Sequence, residues 1–158
     1  MTSVLRIGRA AFIQIMVVVG VATGLSPAVP SAECAFATMS QAIASPTTVA
    51  VFSGTVSEIE ESAGAIAHVV TFDVQRVWKG TVTKRVSLYQ SNTSEAIQFS
   101  AGVPYLMVAY RMRPEELEVS GTIRRATTLG VATCVSRTLE QAERLGNLRE
   151  LGPGQLLR

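Results

Sequence analysis

The sequence is poor in the residues from which catalytic and metal centres are built. It has one histidine, two cysteines and 6% aromatic residues among its 158 positions. Cys34, Cys134 and His68 match no zinc-ligand spacing. A single histidine without a nucleophile elbow gives little support to a hydrolase triad, and the phosphate-loop and dinucleotide fingerprints are missing. We therefore predict a protein without enzymatic activity, bound metal or cofactor.

Acidic residues are missing from the first 32 positions, where Arg6 and Arg9 precede an apolar run, Ala10–Leu25. This run has the length of a signal-peptide core and is short for a membrane-spanning helix. Small residues and prolines follow it, so we predict a signal peptide over 1–32, cleaved within 28–32. The protein is then exported and keeps no stable membrane span. An uncleaved leader that anchors the protein in a membrane is the alternative.

Neither sign of charge is in excess after the leader. All 12 acidic residues lie beyond position 32, together with every basic residue except Arg6 and Arg9. A nucleic-acid binder usually carries a basic stripe, which this near-neutral region lacks. We therefore expect no nucleic-acid partner.

The two cysteines suggest a covalent link. An even cysteine count in an exported chain favours a disulfide, here between Cys34 and Cys134. Closing a loop of about 100 residues stabilises a fold by up to roughly 4.7 kcal/mol in the chain-entropy model. Two free thiols are the alternative.

Residues 33–150 are predicted to form one β-rich domain, because short apolar segments alternate with turn signals. Gly54 indicates a bulge or a sharp bend within the first strand. His68 is expected on the same strand face as Val70 and Phe72, with a local hydrogen-bond partner. The expected strands are Val49–Ile59, Ala67–Trp78, Val82–Gln90, Pro104–Met112 and a final pair, Glu115–Ser120 and Arg124–Cys134.

Two helices flank the strands in this prediction. The first covers Phe36–Ala44 and ends before Pro46. The second begins after Thr138, which forms a capping box with Gln141, and ends at Gly146. Its apolar residues are expected to face the core; they are Leu139, Ala142 and Leu145. The segment 151–158, with its Gly-Pro-Gly sequence, is predicted to be a flexible tail.

This element order predicts a mainly β fold: a five-stranded OB-type Greek-key barrel with a short N-terminal helix and a C-terminal helix. Periodicity alone leaves a small sandwich open as the alternative.

Four segments carry a family resemblance through their order and spacing. They are Val51–Val56, Phe72–Gly80, Phe99–Ala109 and the residues around Thr133-Cys134 and Arg137-Thr138. Their motif residues are Phe52, Gly54, Phe72, Trp78, Lys79, Gly80, Phe99, Gly102, Tyr105 and Leu106. Together the segments resemble the bacterial proteins related to tissue inhibitors of metalloproteinases, which have a netrin-like OB fold. The resemblance covers nearly all of the chain after the leader and implies an exported, disulfide-bearing module.

The chain departs from that family in its cysteines. The family opens with Cys-x-Cys and has a further cysteine in the middle of the domain, whereas this chain has only Cys34 at the opening and no cysteine near Glu95. In the animal inhibitors the amine and carbonyl of the first cysteine chelate the protease zinc. The resemblance thus points to the N-terminal residues Ala32, Glu33 and Cys34 as an interaction site, without the bridge that would hold them rigid.

Three functions are compatible with these observations. The favoured one is an exported, non-catalytic module that binds an unknown protein partner, for which a protease is one candidate. The second is a metalloproteinase inhibitor that acts through its mature N-terminus. The third is an OB barrel that binds sugars or single-stranded nucleic acid, which requires exposed aromatic residues and a basic groove.

Overall fold

The structure is a computed structural model that describes residues 38–61, 67–114, 117 and 127–157. The predicted signal peptide, the N-terminal residues Ala32, Glu33 and Cys34, and most of the predicted strand Glu115–Ser120 lie outside the described residues. None of the described helices has the length and apolar composition needed to cross a membrane.

Five strands form a closed barrel. Their neighbour order is β1-β2-β3-β5-β4, and β4 pairs with β1 to close the ring. Among the described strands, β3 and β5 form the one parallel pair. This arrangement is that of an OB-type Greek-key barrel, so the predicted fold class is confirmed. The strands are β1 Thr48–Glu61, β2 Ala67–Lys79, β3 Arg85–Ser91, β4 Pro104–Arg111 and β5 Leu129–Val131.

The barrel interior is filled by alternate residues of the strands, as the period of two along a strand requires. The register of β1 and β2 shifts between Ser53 and Gly54, which confirms the predicted bulge. The aromatic rings meet edge to face, with 5.7 Å between the centroids of Phe52 and Phe72. The largest residues of this core are Phe52, Phe72, Leu88, Tyr105 and Met107, each at most 2% exposed.

A second apolar layer covers the outer face of β1 and β4. It is built by three short helices, α1 Met39–Ala44, α2 Leu139–Arg144 and α3 Asn147–Leu151. Their apolar residues pack on the outward-facing side chains of the two strands, which include Val51, Leu106, Val108 and Tyr110. The outer helices therefore bury one side of the barrel wall, so β1 and β4 are apolar on both faces.

The capping prediction for the C-terminal helix is confirmed, but the prediction that Leu145 faces the core is wrong. Thr138 and Gln141 form the capping box, and Ala142 is buried. Leu145, however, is 63% exposed, because α2 ends at Arg144 and Gly146 then adopts a left-handed φ of 77°. The helix is too short for a side chain at its cap to turn back towards the barrel.

The final strand ends earlier than predicted, and positions 124–126 of the prediction lie outside the described residues. Strand β5 covers only Leu129–Val131, because the chain then turns: the amides of Val135 and Ser136 both donate to the carbonyl of Ala132. Cys134 lies in this turn. After it, the two-residue strand β6, Arg137–Thr138, pairs with β4. The third strand also begins later than predicted, at Arg85.

The predicted flexible tail is corrected by the structure for 151–157. Strand β7, Gln155–Leu156, pairs with Arg76 and Val77 of β2. The amide of Leu157 donates to the carbonyl of Gln75 at 3.0 Å. The tail thus pairs with the part of β2 that extends beyond its ladder with β3, and the Gly-Pro-Gly sequence forms a turn into this strand.

Candidate functional site

The Trp78-Lys79-Gly80 motif at the end of β2 contacts the C-terminal segment, the end of α1 and β1. Trp78 Nε1 donates to the carbonyl of Gly152 at 2.8 Å, which fastens the C-terminal segment. Lys79 Nζ donates to the carbonyls of Ile43 and Ser45, where α1 ends. Gly80 has a φ of 78°, and a Cβ there would lie 2.0 Å from the carbonyl oxygen of Val49. All three residues therefore have structural contacts that explain their presence.

The motif residues Phe99, Gly102 and Tyr105 close one end of the barrel. The ring centroids of Phe99 and Tyr105 are 5.0 Å apart. The Tyr105 hydroxyl accepts from the amide of Ser100 and donates to the carbonyl of Gln98, both at 3.2 Å. Gly102, with a φ of 79°, turns the chain into β4. The motif thus holds the connection between β3 and β4 against the barrel core.

The remaining motif residues lie in the two apolar layers. Phe52 and Phe72 fill the barrel interior, Leu106 packs beneath the outer helices, and a Cβ on Gly54 would lie 3.0 Å from the carbonyl oxygen of Asp73. These motif residues are consequently framework residues, and a binding surface must use other positions.

The outer face of β2 and β3, where OB-fold proteins bind oligonucleotides and oligosaccharides, is largely buried here. Val69 is 1% exposed, Thr71 2% and Tyr89 4%. The Thr71 and Ser87 hydroxyls bond each other at 2.9 Å across the two strands. This face offers no exposed aromatic residue among its described positions, so the stacking that single-strand binding requires has no support there.

A groove of about 550 Å³ opens beside Cys134. It lies between the turn that follows β5 and the outer face of α2. Its described lining residues are Cys134, Ser136, Arg137, Gln141, Arg144 and Leu145. Cys34 lies outside the described residues, so its pairing with Cys134 stays a prediction.

Two arginines make this groove basic. The guanidinium group of Arg137 donates to the carbonyl of Val135 at 3.1 Å through Nε and to that of Cys134 at 3.3 Å through Nη2. These bonds fix its plane beside the groove. Arg144 ends α2, and neither arginine forms an ion pair with another described residue. None of the described lining residues is acidic, so the groove favours anionic groups.

Two polar side chains of the groove have partners within the domain. Ser136 Oγ accepts from the amide of Val108 at 2.9 Å and is buried. Gln141 Oε1 accepts from the amide of Thr138. No group of three or more potential metal ligands occurs among the described residues. The groove is suited to binding through charge and apolar contact, with Leu145 as its exposed apolar residue.

A second, smaller cavity of about 160 Å³ lies at the barrel end that carries His68. As predicted, His68 has a local partner, since its Nε2 lies 3.0 Å from Nε2 of Gln90. Its ring packs edge to face on Phe99, with centroids 6.1 Å apart. Burial lowers the pKa of His68 from its usual 6.5, while the charge of Glu61 acts in the opposite direction.

Sequence reasoning missed the main residues of the groove. Arg137 was part of a motif, and Arg144 and Leu145 belong to a helix whose apolar residues were expected to face inward. The sequence feature that could have indicated their exposure is Gly146, which ends the helix directly after them. Gln90 was also missed, because a polar residue at the end of a strand has the pattern of an exposed one.

Comparisons of the chain with family models, with curated proteins and with solved structures find no match.

Proposed function

We propose that this chain is an exported, non-catalytic binding module related to the netrin-like inhibitors of metalloproteinases, and that it binds a protein partner at the groove beside Cys134. The observation that carries the proposal is the combination of Arg137, Arg144 and Leu145. Two arginines that form no ion pair with another described residue flank a leucine that is 63% exposed. Arginine is typical of the residues that anchor protein interfaces, and the exposed Leu145 adds apolar surface whose burial by a partner is favourable.

The framework role of the motif residues supports this choice. Trp78, Lys79, Phe99 and Tyr105 are used in packing and hydrogen bonds within the domain. Function resides in sites that a fold presents rather than in the fold itself. The groove presents charged groups whose removal would leave the apolar layers intact.

The predicted disulfide would add the N-terminal residues to the same surface. A disulfide places its two Cα atoms about 4.4–6.8 Å apart. Bridged to Cys134, Cys34 would bring Ala32 and Glu33 to the groove, so that the mature N-terminus and the arginine pair would form one interface. Intact-mass analysis of the secreted protein, with and without reduction, tests the bridge and the cleavage site together.

Site-specific photo-crosslinking tests the groove itself. A photoreactive residue is placed at position 145 or, as the control, at position 156, since Leu145 and Leu156 are both 63% exposed. The proposal predicts a discrete protein adduct from position 145 in the exported fraction, which disappears when Arg144→Glu is added. Arg149→Glu, a charge reversal at the exposed Arg149 outside the groove lining, should leave the adduct unchanged. Equal adducts from both positions, or one that survives Arg144→Glu, would contradict it.

Inhibition of a metalloproteinase through the mature N-terminus is tested separately. The purified mature protein is titrated against a panel of zinc proteases. Inhibition at micromolar concentration that is lost when an extra residue precedes the mature N-terminus would favour this narrower function. The absence of inhibition would remove it and leave the binding module in place.

A further inference from the structure

Gln90 is a buried amide that joins three parts of the barrel end. It is 1% exposed. Its Oε1 accepts from the amide of Ile97 at 3.1 Å, and its Nε2 donates to the carbonyl of Ile97 at 3.0 Å. The same Nε2 lies 3.0 Å from Nε2 of His68. One side chain therefore holds both backbone groups of a residue in the connection between β3 and β4.

The backbone of Ile97 fixes which way the Gln90 amide points. A backbone N–H can only donate and a carbonyl can only accept, so the oxygen of Gln90 must face the Ile97 amide and its NH₂ group must face the carbonyl. The second hydrogen of this NH₂ group points to His68. His68 Nε2 must then accept, and the imidazole proton resides on Nδ1.

A protonated His68 is incompatible with this arrangement. The imidazolium ion carries a proton on both ring nitrogens, so two donors would face each other across 3.0 Å. Rotating the Gln90 amide would present its oxygen to His68, but it would place like groups against both backbone atoms of Ile97. Protonation of His68 must therefore break the hydrogen bonds of Gln90 either with His68 or with Ile97.

The charged groups near His68 come from β1 and from the connection between β3 and β4. From β1, Glu61 lies directly across from His68, and the neighbouring Glu60 lies across from Val69. The connection contributes one charged residue, Glu95, which is exposed and is not among the described cavity-lining residues. The described residues that line the cavity besides Glu61 and His68 are uncharged: Ile59, Asn92, Ile97, Gln98 and Phe99.

We propose that His68 and Gln90 form a proton-operated latch, which holds residues 92–97 against the barrel when His68 is neutral and releases them when it is protonated. The rest of the connection, 98–103, stays fastened through Tyr105, whose hydroxyl accepts from the amide of Ser100 and donates to the carbonyl of Gln98. Opening of the latch exposes the edge of Phe99 and enlarges the cavity at this barrel end. The proposal does not depend on the groove beside Cys134.

The lowered pKa of His68 agrees in sign with the latch. A histidine whose pKa is lower in the closed state than in the open state takes up a proton on opening. Acidification below the unperturbed value of 6.5 therefore favours the open state. Glu61 opposes part of this effect, because its charge stabilises the imidazolium ion.

Hydrogen exchange at two amides provides the test. His68 is the single histidine of the chain, so one imidazole signal in an NMR titration reports its pKa. The protection factor of the Ile97 amide is measured from pH 7.5 to pH 5, and that of Ser100, held by Tyr105, serves as the internal control. For a free-histidine pKa of 6.5, protection at Ile97 should fall by up to about thirtyfold over this range, while that at Ser100 stays constant.

Two variants separate the latch from general acid unfolding. His68→Gln supplies an acceptor oxygen for Gln90 without a titrating group, so its Ile97 protection should be independent of pH. Glu61→Gln removes the charge that stabilises the imidazolium ion in the closed state, so the pKa of His68 in that state should fall further. The loss of Ile97 protection between pH 7.5 and pH 5 should then be at least as large as in the wild-type protein. Constant Ile97 protection in the wild-type protein, parallel loss at Ile97 and Ser100, or an unchanged pH dependence in His68→Gln would each overturn the proposal.

Discussion

Gly80 offers the sharpest test of how the barrel is assembled, through the substitution Gly80→Ala. Two costs add at this position. A left-handed φ, here 78°, costs an L-residue about 1–2 kcal/mol. The new Cβ would also lie 2.0 Å from the Val49 carbonyl oxygen, and overpacking of this kind costs about 1–3 kcal/mol. We expect Gly80→Ala to lower the free energy of unfolding by about 2–5 kcal/mol.

Gly102→Ala is the matched control. Its φ of 79° is almost the same, but a Cβ there would meet nothing within 4 Å. Alanine also reduces the entropy of the unfolded chain by a similar amount at both sites, so this term cancels in the comparison. Urea unfolding followed by circular dichroism measures both variants. The reasoning is refuted if Gly80→Ala costs no more than Gly102→Ala, because the steric term would then be absent.

Three further predictions concern contacts that the outer segments make with the barrel or with each other. Trp78→Phe removes the hydrogen bond to Gly152, so limited proteolysis should cleave the C-terminal segment faster, with about 1 kcal/mol lost in urea unfolding. Lys79→Met leaves the two carbonyls at the end of α1 without their charged donor and should cost about 1.5–3 kcal/mol by the same measurement. Glu150 accepts from the amide and hydroxyl of Ser40, and these bonds lower its pKa below 4.5. Its contribution is therefore present above pH 4.5 and lost as the pH falls through the lowered pKa. Glu150→Gln should destabilise the protein at pH 7, and its difference from the wild type should shrink as the pH is lowered.

The barrel strands could be predicted because their pattern is local. From Val70 to Val74 apolar and polar residues alternate, and the bulge at Gly54 follows from a glycine within an apolar strand. The same kind of reasoning fails for β6 and β7, since two residues are too few to show a period. The strand predicted over 124–134 ends earlier because the turn at Ala132 depends on hydrogen bonds and on packing against β4, which is distant in the chain.

The candidate site was harder to predict than the fold. The motif residues drew attention because they are distinctive, yet Trp78 and Phe99 are distinctive for structural reasons. The groove depends on where α2 stops: one more turn of helix would have altered the position of Leu145. Gln90 acquires its role only from Ile97, seven residues away, and from His68 on the neighbouring strand. Such three-way contacts are not encoded by spacing along the chain.

The pairing of β1 with both β2 and β4 has a consequence for folding kinetics. On one side of β1, Val51 pairs with Lys79 of β2, and on the other side it pairs with Val108 of β4. The hairpin of β1 and β2 therefore forms between near neighbours in the chain, whereas closure of the barrel requires residues much farther along it. Topologies dominated by such distant pairings fold on the millisecond-to-second timescale. A partly folded chain would meanwhile carry an open edge on β1, which makes this strand the site where association between unfinished molecules is most expected.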